Sequence, residues 1–157
     1  MKKVILISPF SKKLSTGENP KNYPYWASVV QSLRERNYYL VQIGKGDESD
    51  IGCHGKVFDA PLRLLLDLAK CCDTWISIDN FFPHLCAHGG KPGIVIWGQS
   101  NPVHFGYPTN INLVKDTSYL RPGRTQFWLW EQTTFRPEVF VEPAVVVGCV
   151  DGLLEKR

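Results

Sequence analysis

The sequence predicts an α/β protein built as a Rossmann-like, doubly wound and mainly parallel sheet. Three observations carry that expectation. Short apolar runs rich in β-branched residues recur along the chain, and segments with helical spacing separate several of them. Strands divided by helices of about ten residues require crossover connections, which favour parallel pairing. Polar loops containing Gly, Pro, Asn and Asp follow the strands, where turns are expected.

The elements follow in order. Residues 3–8 read as a buried strand and 11–22 as a polar loop with Thr16-Gly17 and Asn19-Pro20. Residues 24–36 read as a helix with Pro24 in its first turn and Trp26, Val29, Val30 and Leu33 on one face. A second strand covers 38–43, a glycine-rich acidic loop 44–55 and a short strand 56–58. The next helix, 61–71, aims Leu62, Leu65, Leu66 and Ala69 at a core. Residues 75–78 form a strand too short to be a helix, and Asp79-Asn80 are good caps for a helix over Phe81–His88. Strands at 93–97 and 111–114 follow. Residues 115–140 form an irregular arm, with Tyr119, Phe127, Trp128, Trp130, Phe135 and Phe140 among Arg121, Arg124 and Arg136. The arm either wraps the sheet edge, meets a second subunit, or offers arginines and aromatics to a base or phosphate. A closing helix is expected over 143–154, despite the β-branched Val145-Val146-Val147.

Composition fits one domain over residues 1–157. A chain with 43% hydrophobic residues buries its own core, and a net charge of +3 gives no footprint for nucleic acid. No apolar run approaches the roughly twenty residues of a membrane helix. The opening residues read as a strand rather than a secretory signal, so a cytoplasmic location is expected. Five cysteines without repeated spacing (Cys53, Cys71, Cys72, Cys86, Cys149) argue against a disulfide framework. A zinc site from His84, Cys86 and His88 fails because only the two histidines share a helical face, and Cys86 reads as a small core residue. No cofactor or metal is expected. There is no Gly-x-Gly-x-x-Gly and no Walker loop, because the first strand runs into Ser8-Pro9-Phe10-Ser11.

The informative stretch begins at Asp79. Asp79 and His84, then Leu85, Ala87, Gly90-Lys91-Pro92 and a strand running into Gly98-Gln99-Ser100-Asn101-Pro102, form one motif block. Ile7-Ser8-Pro9-Phe10-Ser11 and Lys21-Asn22-Tyr23-Pro24-Tyr25-Trp26 form another. In this order the two blocks resemble the C-terminal, nucleotide-sugar-binding half of the heptosyltransferase-like GT-B glycosyltransferases, glycosyltransferase family 9. The family pattern runs Asp-Thr-Gly-x-x-His-Leu-Ala, then Lys-Pro, then Gly-Pro-Thr-x-Pro, with a Lys-x-Trp-Pro segment earlier. Asn80-Phe81 stands where the pattern has Thr-Gly, and glycine there permits a close backbone approach to a diphosphate. The resemblance spans about one hundred residues and implies one of the two halves of such an enzyme.

Each candidate ligand-binding residue also has an ordinary reading. Ser8 and Ser11 either donate to phosphate oxygens or brace their loop. Lys21 either neutralises a diphosphate, as the resemblance implies, or is a solvated lysine. Glu48, with Asp47 beside it, lies where ribose readers commonly sit, or in a solvated turn. Asp79 is explained by helix capping first and contact with a sugar second. Asn80 and the exposed N–H groups behind it suit an anion. His84 either bonds a phosphate or satisfies a neighbouring group, and Ser100 sits in the loop after the fifth strand.

The expected function is therefore that of a glycosyltransferase-like protein binding an ADP- or UDP-sugar and acting with a partner chain or as a homodimer. Leaving-group departure would be assisted by Lys21 and helix N–H groups, since no Asp-x-Asp motif occurs. No catalytic base is identified. The alternative is a non-catalytic module that binds or sequesters a nucleotide or nucleotide-sugar. A weaker one is cleavage of a nucleotide's glycosidic bond by Asp79 or Glu48.

Overall fold

The computed structural model describes residues 1–122 and 130–156. Arg124, Phe127 and Trp128 of the expected arm lie outside the described residues. The chain runs β1 (Val4–Ser8), α1 (Trp26–Glu35), β2 (Tyr39–Gly44), β3 (Gly55–Phe58), α2 (Leu62–Cys71), β4 (Thr74–Ile78), α3 (Phe81–His88), β5 (Ile94–Ile96), α4 (Pro102–Phe105), β6 (Ile111–Leu113) and α5 (Pro143–Glu155).

All six strands pair in parallel in the order β3-β2-β1-β4-β5-β6. The order reverses between β1 and β4. This is the doubly wound topology expected from the sequence, and it opens a crevice beyond the carboxyl ends of β1 and β4.

The central strands β1, β4 and β5 are largely apolar along their length because helices cover both faces of the sheet. Alternation then divides the residues. Ile5, Ile7, Ile76, Ile78, Ile94 and Ile96 face one layer with Trp26, Val29, Val30 and Leu33 of α1 and Val146, Val147, Val150 and Leu154 of α5. Leu6, Trp75, Val95 and Trp97 face the other with Leu65 and Ala69 of α2 and Phe82 and Cys86 of α3. Burial of Val146 and Val147 outweighs the weak helix preference of the valine run.

Several boundaries differ from the sequence reading. Helix α1 starts at Trp26, leaving Pro24 in the preceding turn. Strand β5 is confined to Ile94–Ile96. Leu62 is 61% exposed rather than in the core, because it opens α2 at the carboxyl edge beyond the end of β3. The short α4 was not expected; Asn101 caps it, its side chain accepting from Val103 N, with Pro102 in its first turn. The described parts of the arm hold only 3-10 turns, at Thr117–Tyr119, Trp130–Gln132 and Pro137–Val139. Trp130, Val139, Phe140 and Val141 are buried, so these parts wrap the domain. No helix among the described residues is long and apolar enough to cross a membrane.

At the far edge of the sheet, the backbone N–H of Leu40 donates to Nδ1 of His54 at 3.1 Å, and the ring stacks on Tyr39. The bond requires an unprotonated Nδ1. Burial, helped by the Arg34 and Lys2 charges, lowers the His54 pKa. A lowered histidine pKa contributes stability that is full above the unfolded value of about 6.5 and is lost as pH falls through the folded value. One backbone hydrogen bond is worth about 1 kcal/mol, or about 2–4 °C in Tm at this size. His54→Ala should therefore lower Tm by that amount at pH 8 and flatten its decline between pH 7 and 5; an unchanged decline refutes the role.

Candidate functional site: two clefts at the carboxyl edge

Two clefts meet at the crevice, and Asn80 and Phe81 line both. The larger, about 850 Å3, lies over β1, β2 and β3 and is walled by Phe10, Ala60, Leu62, Leu65 and Phe81. Ser8, Ser11 and Glu48 also line it. The smaller, about 310 Å3, is lined by Lys21, Asp79, Asn80, Phe81, His84, Phe105 and Trp130. Both volumes fall in the range of about 300–1,000 Å3 typical of ligand sites.

The loop after β1 is folded onto itself by buried amides. Asn22 Oδ1 accepts from Ser11 N at 2.8 Å, Asn19 Nδ2 donates to Lys12 O at 2.8 Å, and Asn19 Oδ1 accepts from Lys21 N at 3.0 Å. Trp26 Nε1 donates to Pro9 O at 3.1 Å. These bonds carry Lys21 to the crevice, where its Nζ lies 3.0 Å from Asp79 Oδ2 with both side chains mostly buried (18% and 13% exposed). Ser100, almost fully buried after β5, donates to the same oxygen at 2.7 Å. The Lys21 ammonium also lies over the Trp130 ring, 4.9 Å from its centre.

Asp79 is therefore not the cap of α3. Asn80 is: its Oδ1 accepts from Phe82 N at 2.9 Å and from Ser77 Oγ at 2.9 Å. Its Nδ2 donates to Ser8 Oγ and to Phe10 O, each at 3.0 Å. Asn80 thus spends both ends of its amide tying β4 to the loop after β1. The helix N-terminus expected to cradle an anion is largely closed, since Asn80 occupies one first-turn N–H, Pro83 lacks another, and the half-exposed Phe81 ring separates the clefts.

Behind the large cleft, Gln42 is fully buried and fixes the loop after β2, donating to Ser49 O at 2.9 Å and accepting from Ile51 N at 3.1 Å. That loop folds Glu48 back over Gly44, where a Cβ would come within 2.0 Å of Glu48 Oε2. This oxygen is buried without a hydrogen-bond partner among the described residues. Burial pushes the Glu48 carboxyl above its usual range, with the Asp47 charge adding to the shift. Asp59, in the left-handed region at φ 54, closes the end of β3 and accepts from Gly46 N.

The predicted residues thus divide between the clefts, with Ser8, Ser11 and Glu48 on one side and Lys21, Asp79 and His84 on the other. His84 is exposed, and its Nδ1 is 2.8 Å from the Tyr107 hydroxyl. Ser8 is buried, its Oγ held by Asn80, and Ser100 supports Asp79. Sequence reasoning missed Phe105, Asp59 and the position of Trp130 against Lys21; no sequence signal marks them. Among the described residues no group of three or more His, Cys, Asp or Glu is arranged to hold a metal ion.

No family model matches the sequence, and comparison with curated proteins finds no relative. Solved structures do match. A glycosyltransferase family 9 protein from Veillonella parvula DSM 2008 superposes with a TM-score of 0.73 at 16% identity, over 99% of this chain and 47% of that one. The ADP-heptose lipopolysaccharide heptosyltransferase II of E. coli gives 0.71 at 15% identity, over 99% and 47%. The dodecameric iron-containing heptosyltransferase TibC, solved with ADP-D-beta-D-heptose, gives 0.68 at 15% identity, over 99% and 46%. The chain spans about half the length of these proteins, and its fold is that of a half-sized, heptosyltransferase-like domain of the GT-B class.

Proposed function

We propose that this domain binds a nucleotide-sugar of the ADP- or UDP-sugar class across the two clefts, as the donor-binding part of a glycosyltransferase. The nucleoside occupies the large cleft and the sugar the small one. The observation that carries the reading is the pairing of a large cleft holding an unpartnered carboxylate oxygen, Glu48 Oε2, with a small cleft floored by the Lys21–Asp79 pair. A ribose hydroxyl donating to Oε2 would satisfy a buried acceptor that costs about 1–3 kcal/mol to leave unmade. Lys21 and Asp79 together offer a donor and an acceptor to sugar hydroxyls while cancelling each other's charge. Lys21, as one member of that neutral pair, also offers an N–H donor to a departing diphosphate. The acceptor is presented by a facing surface, whether from another part of the protein, a second copy or a partner chain.

Calorimetric titration with ADP, UDP, ADP-glucose and UDP-glucose tests this. A sugar conjugate should bind more tightly than its parent nucleotide, and Asp79→Ala should erase the difference while leaving nucleotide affinity within about twofold. Glu48→Ala should weaken nucleotide and conjugate alike, by about five- to tenfold for one lost hydrogen bond. Equal affinity for nucleotide and conjugate in the wild type would sink the donor reading.

Binding without turnover is a second reading, and one observation favours it. Among the described residues lining the small cleft Asp79 is the single carboxylate, and it is committed to Lys21 and Ser100 rather than free as a base. Turnover of a nucleotide-sugar by the purified chain decides between the two.

A further inference from the structure

Lys21 is held from two sides. Asp79 Oδ2 takes one ammonium N–H at 3.0 Å, and the Trp130 ring lies 4.9 Å away on another. Trp130 is 8% exposed and lines the small cleft. It does not stand alone. Arg121 Cζ lies 5.4 Å from the same ring, its Nη1 donates to Thr133 Oγ1 at 2.5 Å, and its backbone N–H donates to Gln99 O at 2.8 Å. Gln99 Nε2 donates in turn to Thr134 O at 3.2 Å. The next residue, Ser100, holds Asp79. The turn that carries Trp130 is thus tied to the same loop that fixes Asp79, so the two groups gripping Lys21 are set by one connected assembly.

A lysine side chain is long, with many rotamers, and holding it in one geometry costs rotamer entropy. A single ion pair does this weakly; a desolvated aromatic face adds an attraction that is lost if the ammonium swings away. We infer that Trp130 is the positioning residue that locks Lys21 onto Asp79, so that the third ammonium N–H is presented to an acceptor oxygen of the ligand in the small cleft. The inference rests on the donor reading above for the identity of that ligand. Trp130 acts through Lys21: removing the ring leaves both charges in place but lets the ammonium wander.

The test uses Trp130→Leu, with Trp130→Phe as the conservative variant that keeps an aromatic face. Two readouts are taken on the full chain. The first needs no ligand. Reductive methylation with 13C-formaldehyde labels the lysines, and Lys21, assigned by its loss in Lys21→Arg, should show a methyl resonance displaced upfield by the indole ring current. The displacement should vanish in Trp130→Leu and persist, reduced, in Trp130→Phe. The second is the ratio of dissociation constants for ADP and ADP-glucose, and for UDP and UDP-glucose. Trp130→Leu should lower that ratio about fivefold or more while leaving the free-nucleotide constants within about twofold, and Trp130→Phe should recover most of it. A Lys21 methyl with no ring-current displacement in the wild type overturns the inference. So does a Trp130→Leu variant that keeps the wild-type sugar preference. A wild type with the displacement but no sugar preference overturns the donor reading and, with it, the ligand role assigned to Lys21. That result is distinguishable from failure of the Trp130 contact.

Discussion

Replacing Asn80 by alanine is expected to lower stability by about 3 kcal/mol and to remove nucleotide binding. The side chain closes five hydrogen bonds, from Phe82 N and Ser77 Oγ and to Ser8 Oγ, Ser8 O and Phe10 O. Loss of the cap alone costs about 1 kcal/mol, and each further bond contributes about 0.5–1.5 kcal/mol net. At this chain length about 3 kcal/mol is about 6–12 °C in Tm. Binding should fall further than stability requires. Without the amide, the loop after β1 is left with the Lys21–Asp79 ion pair as its tie to the start of α3, and that loop carries Ser11 and Lys21, with Ser8 at its root. Calorimetry at 15 °C, well below the melting transition, checks this: an Asn80→Ala variant that still binds ADP or UDP as the wild type does would contradict it.

Asn80→Asp sharpens the argument because it keeps the acceptor and removes the donor. The cap survives, but a carboxylate oxygen then faces Phe10 O and Ser8 Oγ, where an N–H stood. Like-signed oxygens raise the pKa of the new carboxyl in the folded state above its unfolded value of about 3.9. A raised pKa means relative stability that is present below the unfolded value and lost as pH rises through the folded one. The deficit of Asn80→Asp against wild type should thus be small near pH 3 and largest at pH 7.

These residues also show what was legible in the sequence. Strand and helix positions were, because burial on both faces leaves an apolar run that periodicity detects, and the alternation of Ile5, Leu6 and Ile7 between the two cores follows from the strand repeat alone. The bounds of α3 were legible through Asp79-Asn80. Which of the two caps was not, since either side chain can serve. The choice was made by Lys21, fifty-eight positions away in sequence, which draws Asp79 off the helix axis and leaves the cap to Asn80. The same limit hid Trp130. An aromatic among arginines reads as an arm, and only the fold brings it onto Lys21. Leu62 misled for a different reason: helical spacing identifies a face, but the first turn of α2 projects past the end of β3, where no core remains. Glu48 was placed by its position after β2, whereas its unpartnered oxygen depends on the chain folding back over Gly44.

Gly93→Ala should be as destabilising as Asn80→Ala and yet leave the two clefts intact. Gly93 precedes β5, and a Cβ there would lie 2.2 Å and 2.3 Å from two ring carbons of Trp75. Trp75 cannot give way. It is fully buried, its Nε1 donates to Lys91 O at 3.1 Å, and its ring packs edge-on against Phe82 at 5.7 Å. Nor can Gly93 retreat easily, because its N–H donates to Asn110 Oδ1 at 3.1 Å and its carbonyl accepts from Ile111 N at 2.9 Å. Overpacking of this kind costs about 1–3 kcal/mol, and a rigid, hydrogen-bonded indole puts it at the upper end, or about 10 °C in Tm. Trp75→Phe should relieve part of the clash, so the double variant should lose less than the sum of the singles. Because Gly93 lies at the amino end of β5, the damage is on the side of the sheet away from both clefts. At 15 °C, Gly93→Ala should bind ADP-glucose and UDP-glucose as tightly as the wild type, whereas Asn80→Ala should not. Equal losses of binding in the two variants would mean that the clefts report only on the fold, and that Asn80 has no part in shaping them.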